Sequence, residues 1–336
     1  MTQRPPESYG DAVAEYVAVR HGVGLLDRSD LGVLEVTGRD RATFLHAMLS
    51  NDVKSLSAGQ GCAASFLDVH GKVQTLLVVL ALDDRILLLT PPGLAAATLE
   101  ALDKFLFSEK ANFRDATGEH AVLVLAGPDA LPLIRRLAGT GPAEPAWSHT
   151  VGTIEGATVR LVRGPGETGE AEIWVLAAAG GHDALWRAAV GAGARPIGLT
   201  AWETLRLEAG TPAFGRDVDS SVLLPEVAGF ERLVSYTKGC YIGQEVVVRI
   251  RDRGHVNRYL RGLVLEGETV PARDSAVTID GVDVGRVTSA AWSFGLKRPI
   301  ALAYIRRQHA EPGTSVAVQI EGRGVPATVS ALPFSR

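Results

Sequence analysis

The chain has 336 residues, a formal net charge of −4, 46% hydrophobic and 21% charged residues. That length exceeds what one hydrophobic core usually organises, so two or three packed domains are expected, and disulfide staples are not needed. The small net charge gives no global pull toward nucleic acid, and any anion site must be a local patch.

Cys62 and Cys240 are the only cysteines. They lie far apart and outside any CxxC or Cys/His cluster, which argues against a zinc site or a disulfide framework and for a reducing compartment. The first residues, MTQRPPESYGDAVAEY, lack the basic start and apolar run of a secretory signal, and the longest apolar stretch, Val73 to Leu82, is too short to cross a bilayer. A soluble, cytoplasmic protein is expected, with no membrane contact and no direct nucleic-acid binding.

In chain order, DAVAEYVAVRH predicts a short amphipathic helix that stops near Gly22 and Gly24, and LGVLEVTG alternates as a strand. GRDRATFLHAMLSNDV places Phe44, Leu45, Met48 and Leu49 at helical spacing, a helix closed around Asn51. CAASFLDV and KVQTLLVVLAL flank His70-Gly71 and read as a β-hairpin. RILLLT is a strand, and GLAAATLEALDKFLF a helix started after Pro91-Pro92. AVLVLAG is a strand before a helix from Pro128 through Leu137 and a loop over Gly139 to Pro145. Strands TVRLVRG and AEIWVLAA, helix HDALWRAAVGAG and helix TAWETLRLEAG follow; in the last, Leu205, Glu208 and Ala209 share a face. After about residue 252 only short strands and turns remain, the pattern of a small antiparallel barrel or sandwich. The whole is an α+β arrangement of sheets with helices on one face.

The segment YTKGCYIGQEVVVRIRDRG, Tyr236 to Gly254, concentrates candidate chemistry. A lone cysteine is more often a buried apolar residue than a reactive one. Beside Cys240, however, stand Lys238 and the arginines at 249, 251 and 253, and positive charge stabilises a thiolate. On a strand those three arginines would share one face, suited to carboxylates or phosphates; the plainer alternative is a solvated edge strand. Glu208 lies on a helix whose other inward positions are apolar. An isolated helical Glu is usually just solvated, but a carboxylate there could accept two donors from an aminopyrimidine or a guanidinium. No P-loop, HExxH, GxSxG or dinucleotide fingerprint is present, which leaves hydrolase and kinase chemistry without support.

KGCYIGQE at Lys238 to Glu245 resembles the signature of the YgfZ-type folate-binding proteins, relatives of the glycine-cleavage T-protein, an aminomethyltransferase. GLLDRSDLGVLEVTGRDRATFLHAMLSNDV, LRLEAGTPAFGRDVDSSVLLPEV and VGRVTSAAWSFGLKRPIALAYIRR resemble further blocks of that superfamily. The resemblance implies a three-subdomain cloverleaf around a channel for tetrahydrofolate or a derivative. Residues 1–252 would form a folate-binding core of two interleaved subdomains and 253–336 a β-barrel domain. It implies Glu208 as the pterin-binding glutamate, Lys238, Tyr241, Gln244 and Arg249 as cofactor contacts, Cys240 as the functional thiol, and no metal ligands.

The T-protein aspartate on the second hairpin strand corresponds to Thr75, whose hydroxyl cannot serve as an ordinary proton acceptor. The resemblance therefore implies an accessory protein for assembly or repair of iron–sulfur enzymes, including tRNA-modifying ones, with client or assembly proteins as partners. The alternative is a folate-dependent one-carbon transferase acting on another substrate, and a folate-free scaffold is the third reading.

Overall fold

A computed structural model describes residues 4–335. Its elements are α1 (Ala12–His21), β1 (Gly24–Asp27), β2 (Gly32–Thr37), α2 (Arg41–Met48), β3 (Gly61–Leu67), β4 (Val73–Ala81), β5 (Ile86–Thr90), α3 (Ala95–Asp103), β6 (Asn112–Asp115), β7 (His120–Ala126) and α4 (Ala130–Ala138). There follow β8 (His149–Ile154), β9 (Ala157–Arg163), β10 (Glu172–Ala178), α5 (His182–Gly191), β11 (Arg195–Pro196), α6 (Leu199–Glu208) and α7 (Gln244–Arg253). The last stretch holds β12 (Arg258–Leu265), β13 (Ala276–Ile279), β14 (Val282–Ser293), β15 (Arg298–Arg306), β16 (Ser315–Ile320) and β17 (Arg323–Ser330).

These strands build three bodies. A five-stranded sheet runs β3-β4-β5-β2-β6, a six-stranded sheet runs β11-β1-β7-β10-β9-β8, and β12 to β17 close into a barrel. The chain passes between the first two: β1 precedes the five-stranded sheet yet pairs with β7 and β11 of the six-stranded one. Each sheet buries an outer face under helices and turns its inner face to the other. Val33, Leu87 and Leu89 meet Val122, Val124, Leu176, Trp147, Trp174 and Trp202 in that shared core. The other face of the six-stranded sheet, with Ile173 and Val175, packs on Leu133 and Ile134 of α4 and Leu185 of α5.

Local signals account for the elements that matter. Asp11 caps α1, its Oδ1 accepting from the amides of Val13 (3.1 Å) and Ala14 (3.0 Å), the usual remedy for orphan N–H groups at a helix start. On β4 the alternation sorts two faces: Val73, Thr75, Leu77 and Val79 are buried, while Gln74 is exposed and Leu76 and Val78 are partly covered. Arg206 fastens α6 to the barrel. Its guanidinium, 2% exposed, donates to Asp217 Oδ2 (2.8 Å) and to Ser289 Oγ on β14 (3.0 Å).

One expectation changes. The basic run is helical, not extended: α7 starts behind Gly243, which adopts φ 80°, and buries Val247. On a helix, Arg249 and Arg251 point about 200° apart, so the three guanidinium groups do not share a face. Arg251 lies over the Tyr236 ring at 4.4 Å. The short strands β1, β6, β8 and β11 carry too little alternation to be read from sequence, and α7 runs across the 252/253 junction. Among the described residues, no helix is long and apolar enough to cross a membrane.

Candidate ligand cavity

The two sheets, α6 and the barrel enclose a cavity of about 930 Å³, the size at which clefts hold cofactors. β4 contributes Leu76 and Val78, β3 Ala63, β14 Ala290 to Trp292, and α6 Thr200, Trp202 and Glu203; Trp147 and Trp174 form an aromatic wall. Those two indoles meet edge to face, centroids 5.4 Å apart at 86°, a favoured aromatic geometry. Trp147 holds φ at 70°, a conformation that costs a non-glycine residue about 1–2 kcal/mol and that tertiary packing must enforce. Arg28, Arg216 and Arg232 bring cationic groups to the lining.

At the Trp174 side lie two carboxyls, Glu167 in the lining and Glu172, 1% exposed. Glu172 Oε1 accepts from the Thr168 amide and hydroxyl, both at 2.9 Å. Its Oε2 and Trp174 Nε1 are buried without a hydrogen-bond partner among the described residues. Burial, with the charge of Glu167 added, pushes the Glu172 carboxyl well above the usual carboxylate range. Burial likewise raises Glu167, although Arg28 and Arg206 oppose it. The result is an acidic corner, both carboxyls pushed toward the protonated form, beside the edge-to-face Trp147–Trp174 pair.

Glu208 is placed differently from its expected role. Oε2 accepts from Tyr16 Oη (2.7 Å) and Arg20 Nη2 (2.6 Å), and Oε1 from Ser293 Oγ (2.6 Å) and the Gly295 amide (3.1 Å). All its acceptor directions serve α1 and the barrel side, and Glu208, like Glu172, is not among the cavity-lining residues. Burial alone would raise its pKa, but Ser293, Tyr16, Gly295 and Arg20 together hold it below the usual value. It is a structural clamp in this structure.

The cysteine segment stands apart from the cavity too. Cys240 is exposed. Lys238 Nζ donates to the carbonyls of His46, Leu49 (2.6 Å) and Asn51 (3.2 Å), where α2 ends, and lies 4.9 Å from the Tyr241 ring centroid. A cation on those C-terminal carbonyls is well placed against the helix dipole. Tyr241 is 7% exposed and its hydroxyl is buried without a partner among the described residues. On the other side, a Cβ at Gly243 would sit 2.5 Å from the Asp68 carbonyl oxygen, so only glycine lets this segment rest on the hairpin turn. Gln244 opens α7 and Arg249 lies exposed on it. The segment thus brings Cys240, Lys238, Tyr241, Gln244 and Arg249 together along one strip anchored to α2, and none of them lines the cavity.

Thr75 is 2% exposed on the core face of β4, and Gln74 is the next residue in line with the cavity-facing Leu76 and Val78. Neither position supplies a carboxylate. Glu172, Glu167 and Trp174 were not singled out from the sequence; the available signal was a lone acid sharing a strand face with a tryptophan in AEIWVLAA. No group of His, Cys, Asp and Glu able to hold a metal ion occurs among the described residues.

Comparison with known proteins places this architecture. The GCVT N-terminal domain matches residues 4–238, and the glycine cleavage T-protein C-terminal barrel domain matches residues 258–335. An aminomethyltransferase of Streptomyces avermitilis is 33% identical over 98% of this chain and 91% of its own. A putative chloroplastic transferase of Arabidopsis thaliana is 30% identical over 98% of this chain and 75% of its own. The glycine cleavage system aminomethyltransferase T from Bartonella henselae superposes with a TM-score of 0.89 at 23% identity, covering 98% of this chain and 91% of that one, and shares the fold. The chain belongs to the glycine cleavage T-protein family.

Proposed function

We propose that this protein binds tetrahydrofolate or a derivative in the central cavity and acts as a folate-dependent one-carbon transferase. The observation that carries the reading is the Trp147–Trp174 wall of the cavity with Glu172, two positions from Trp174 on β10, whose buried Oε2 has no partner among the described residues. A pterin is a flat ring system with an aminopyrimidine edge of N–H donors; tryptophan faces suit the ring and an unengaged carboxylate oxygen suits the edge. Glu172, not the fully engaged Glu208, is then the carboxylate that reads it. The lining arginines 28, 216 and 232, in place of Arg249, suit the glutamyl carboxylates. Bound folate would supply the one-carbon carrier; the chain's residues bind it, orient it and exclude water. The relatives named aminomethyltransferase support transfer chemistry.

A second reading is favoured by one specific observation. The exposed Cys240, in the KGCYIGQE signature of the YgfZ-type proteins, is pinned outside the cavity by Lys238, while β4 offers only Gln74 and Thr75 where the T-protein aspartate is expected. Those features suit a cytoplasmic folate-binding accessory factor for iron–sulfur enzymes, with Cys240 as a transient ligand or redox thiol toward a client protein.

Calorimetric titration tests the shared part. Wild-type protein should bind tetrahydrofolate, and Glu172→Gln should weaken it about tenfold; no binding at high micromolar ligand sinks both readings. Incubation with methylene-tetrahydrofolate and candidate amines then separates them. Turnover supports the transferase. If no amine turns over, and Cys240→Ala fails to restore iron–sulfur enzyme activity in a deletion strain that wild type rescues, the accessory role stands.

A further inference from the structure

The carboxylates lining the cavity are Glu7, Asp30, Glu167 and Glu203. All but one are engaged. Glu7 pairs with Arg4 (3.3 Å) and Asp30 with Arg28 (3.2 Å). Glu203 Oε2 accepts from Arg206 Nη2 (2.6 Å), Arg206 Nε (2.9 Å) and Arg216 Nη1 (2.7 Å), and takes up a proton only by giving up those contacts. Glu167 differs. Its main-chain carbonyl accepts from Thr211 Oγ1 (2.9 Å), but its carboxyl has no hydrogen-bond or ion-pair partner among the described residues. Access separates it from its neighbour Glu172: the Glu172 Oε2 atom is closed off by protein, whereas the Glu167 oxygens are not among the closed-off atoms and Glu167 lines the cavity. A ligand in the cavity therefore reaches it. Arg28, Arg206 and Arg232 favour its ionised form, while Glu203 opposes it and Glu172 shares the corner. Burial outweighs the arginines, so Glu167 keeps its proton more readily than an ordinary glutamate. No other acid competes for this position on β4, whose lining residues are Leu76, Leu77 and Val78.

We propose that Glu167 is the proton-transfer residue of the cavity, giving its proton to the nitrogen that the one-carbon unit leaves and taking one from the amine that receives the unit. The assignment rests on the transferase reading. In such a transfer one C–N bond breaks and one forms, while one N–H bond forms on the donor nitrogen and one breaks on the amine. Glu167 thus ends the transfer with the proton it began with, and no oxidant or reductant enters. A positioned acid–base group contributes about 10²–10⁴-fold to rate and works best with a pKa near the operating pH. Of the lining carboxyls, Glu167 is the one free to do so.

Glu167→Gln keeps the shape of the side chain and removes the transferable proton. Calorimetry on the full chain should find its tetrahydrofolate affinity within about threefold of wild type. With methylene-tetrahydrofolate and ammonia, methylamine or glycine, its kcat should fall about a hundredfold or more. Formate added to Glu167→Ala should recover part of that loss, since a small acid replaces the missing group. An undiminished kcat in Glu167→Gln overturns the role of Glu167 and leaves the transferase reading intact. A loss of tetrahydrofolate affinity beyond about tenfold makes Glu167 a binding residue and overturns the proposal as well. Wild type that binds tetrahydrofolate but transfers to none of the amines overturns the transferase reading and this assignment with it. A second readout needs no turnover. In ligand-free Glu172→Gln, infrared difference spectra should show a protonated-carboxyl C=O band that disappears only above the ordinary glutamate value of about 4.3. Adding Glu167→Gln to that variant should remove the band. Its absence from Glu172→Gln, or its survival in the double variant, overturns the proposal whatever the kinetics show.

Discussion

Arg20 Nη2 donates to Glu208 Oε2 at 2.6 Å, joining residues 188 positions apart, with side chains only 4% and 2% exposed. The pair ties α1 to α6, and Ser293 and Gly295 extend it to the barrel side. A buried ion pair is weak evidence for net stability, but deleting Glu208 leaves Arg20 only Glu170 (2.8 Å) and the Thr168 carbonyl and takes the acceptor from the buried Tyr16 and Ser293 hydroxyls. Glu208→Ala should therefore destabilise the protein by about 2–4 kcal/mol, read as a lower midpoint in urea unfolding. A loss of ligand binding in that variant would accompany lost structure; a stable, folded Glu208→Ala protein without folate affinity would return Glu208 to the binding role.

The two cysteines should differ in reactivity because their surroundings differ. Cys62 is partly covered on β3 and burial pushes its thiol up to about 12, whereas Cys240 is exposed. Only the thiolate is an effective nucleophile. Iodoacetamide at pH 8 should thus alkylate Cys240 in the native protein and leave Cys62 unmodified until denaturant is added, with peptide mass mapping as the check. Native labelling of Cys62 at a comparable rate would show that the β3 edge opens readily.

A carboxylate introduced on β4 should be tolerated on one face and rejected on the other. Gln74 is exposed and Thr75 is 2% exposed, and neighbouring strand residues point to opposite faces. Gln74→Asp should change stability by less than about 0.5 kcal/mol, while Thr75→Asp, which buries an unpaired acid, should cost roughly 3 kcal/mol or more. Thermal melts of the two variants make the comparison. The reverse order would mean that Thr75, as the resemblance aligned it, faces the cavity.

That one-position difference shows how far the sequence carries. Strand β4, its hairpin partner β3 and helices α1 to α6 are legible because their apolar residues repeat at strand or helix spacing. The barrel is legible from closely spaced short strands. Helix α7 is not: Arg249, Arg251 and Arg253 alternate with Ile250 and Asp252, and this local pattern fits a strand as well as a helix until Val247 is seen to be buried. The cysteine strip is legible as a signature, but its docking on the α2 carbonyls joins residues about 190 positions apart, which no local pattern encodes. Glu208 looked available because a sequence does not show four donors arriving from α1 and the barrel side. Glu172 reads as ordinary strand because the missing partner of its Oε2 is a tertiary fact.

The acidic corner and the Glu208 clamp should respond to pH in opposite directions. In Glu172 burial and Glu167 raise the folded-state pKa above the unfolded value of about 4.3. The folded protein then holds a proton that the unfolded chain has lost, so the contribution is present below about pH 4 and declines as pH rises through the raised folded pKa. Glu208 is depressed, so its contribution is present above the unfolded pKa and is lost as pH falls through the folded one. Between about pH 5 and 8 the Glu208 term is therefore constant and the Glu172 term changes, alongside Glu167, raised by burial, and His46, His120 and His149, lowered by it. Relative to Glu172→Gln, ligand-free wild type should lose thermal stability across that window, and the variant should have the higher midpoint at pH 8. Tetrahydrofolate binding should strengthen over the same window, because a ligand N–H pairs with the ionised carboxylate, and Glu172→Gln should remove that dependence. Identical pH profiles for wild type and Glu172→Gln, in melting and in calorimetry, would show that Glu172 does not titrate in the cavity.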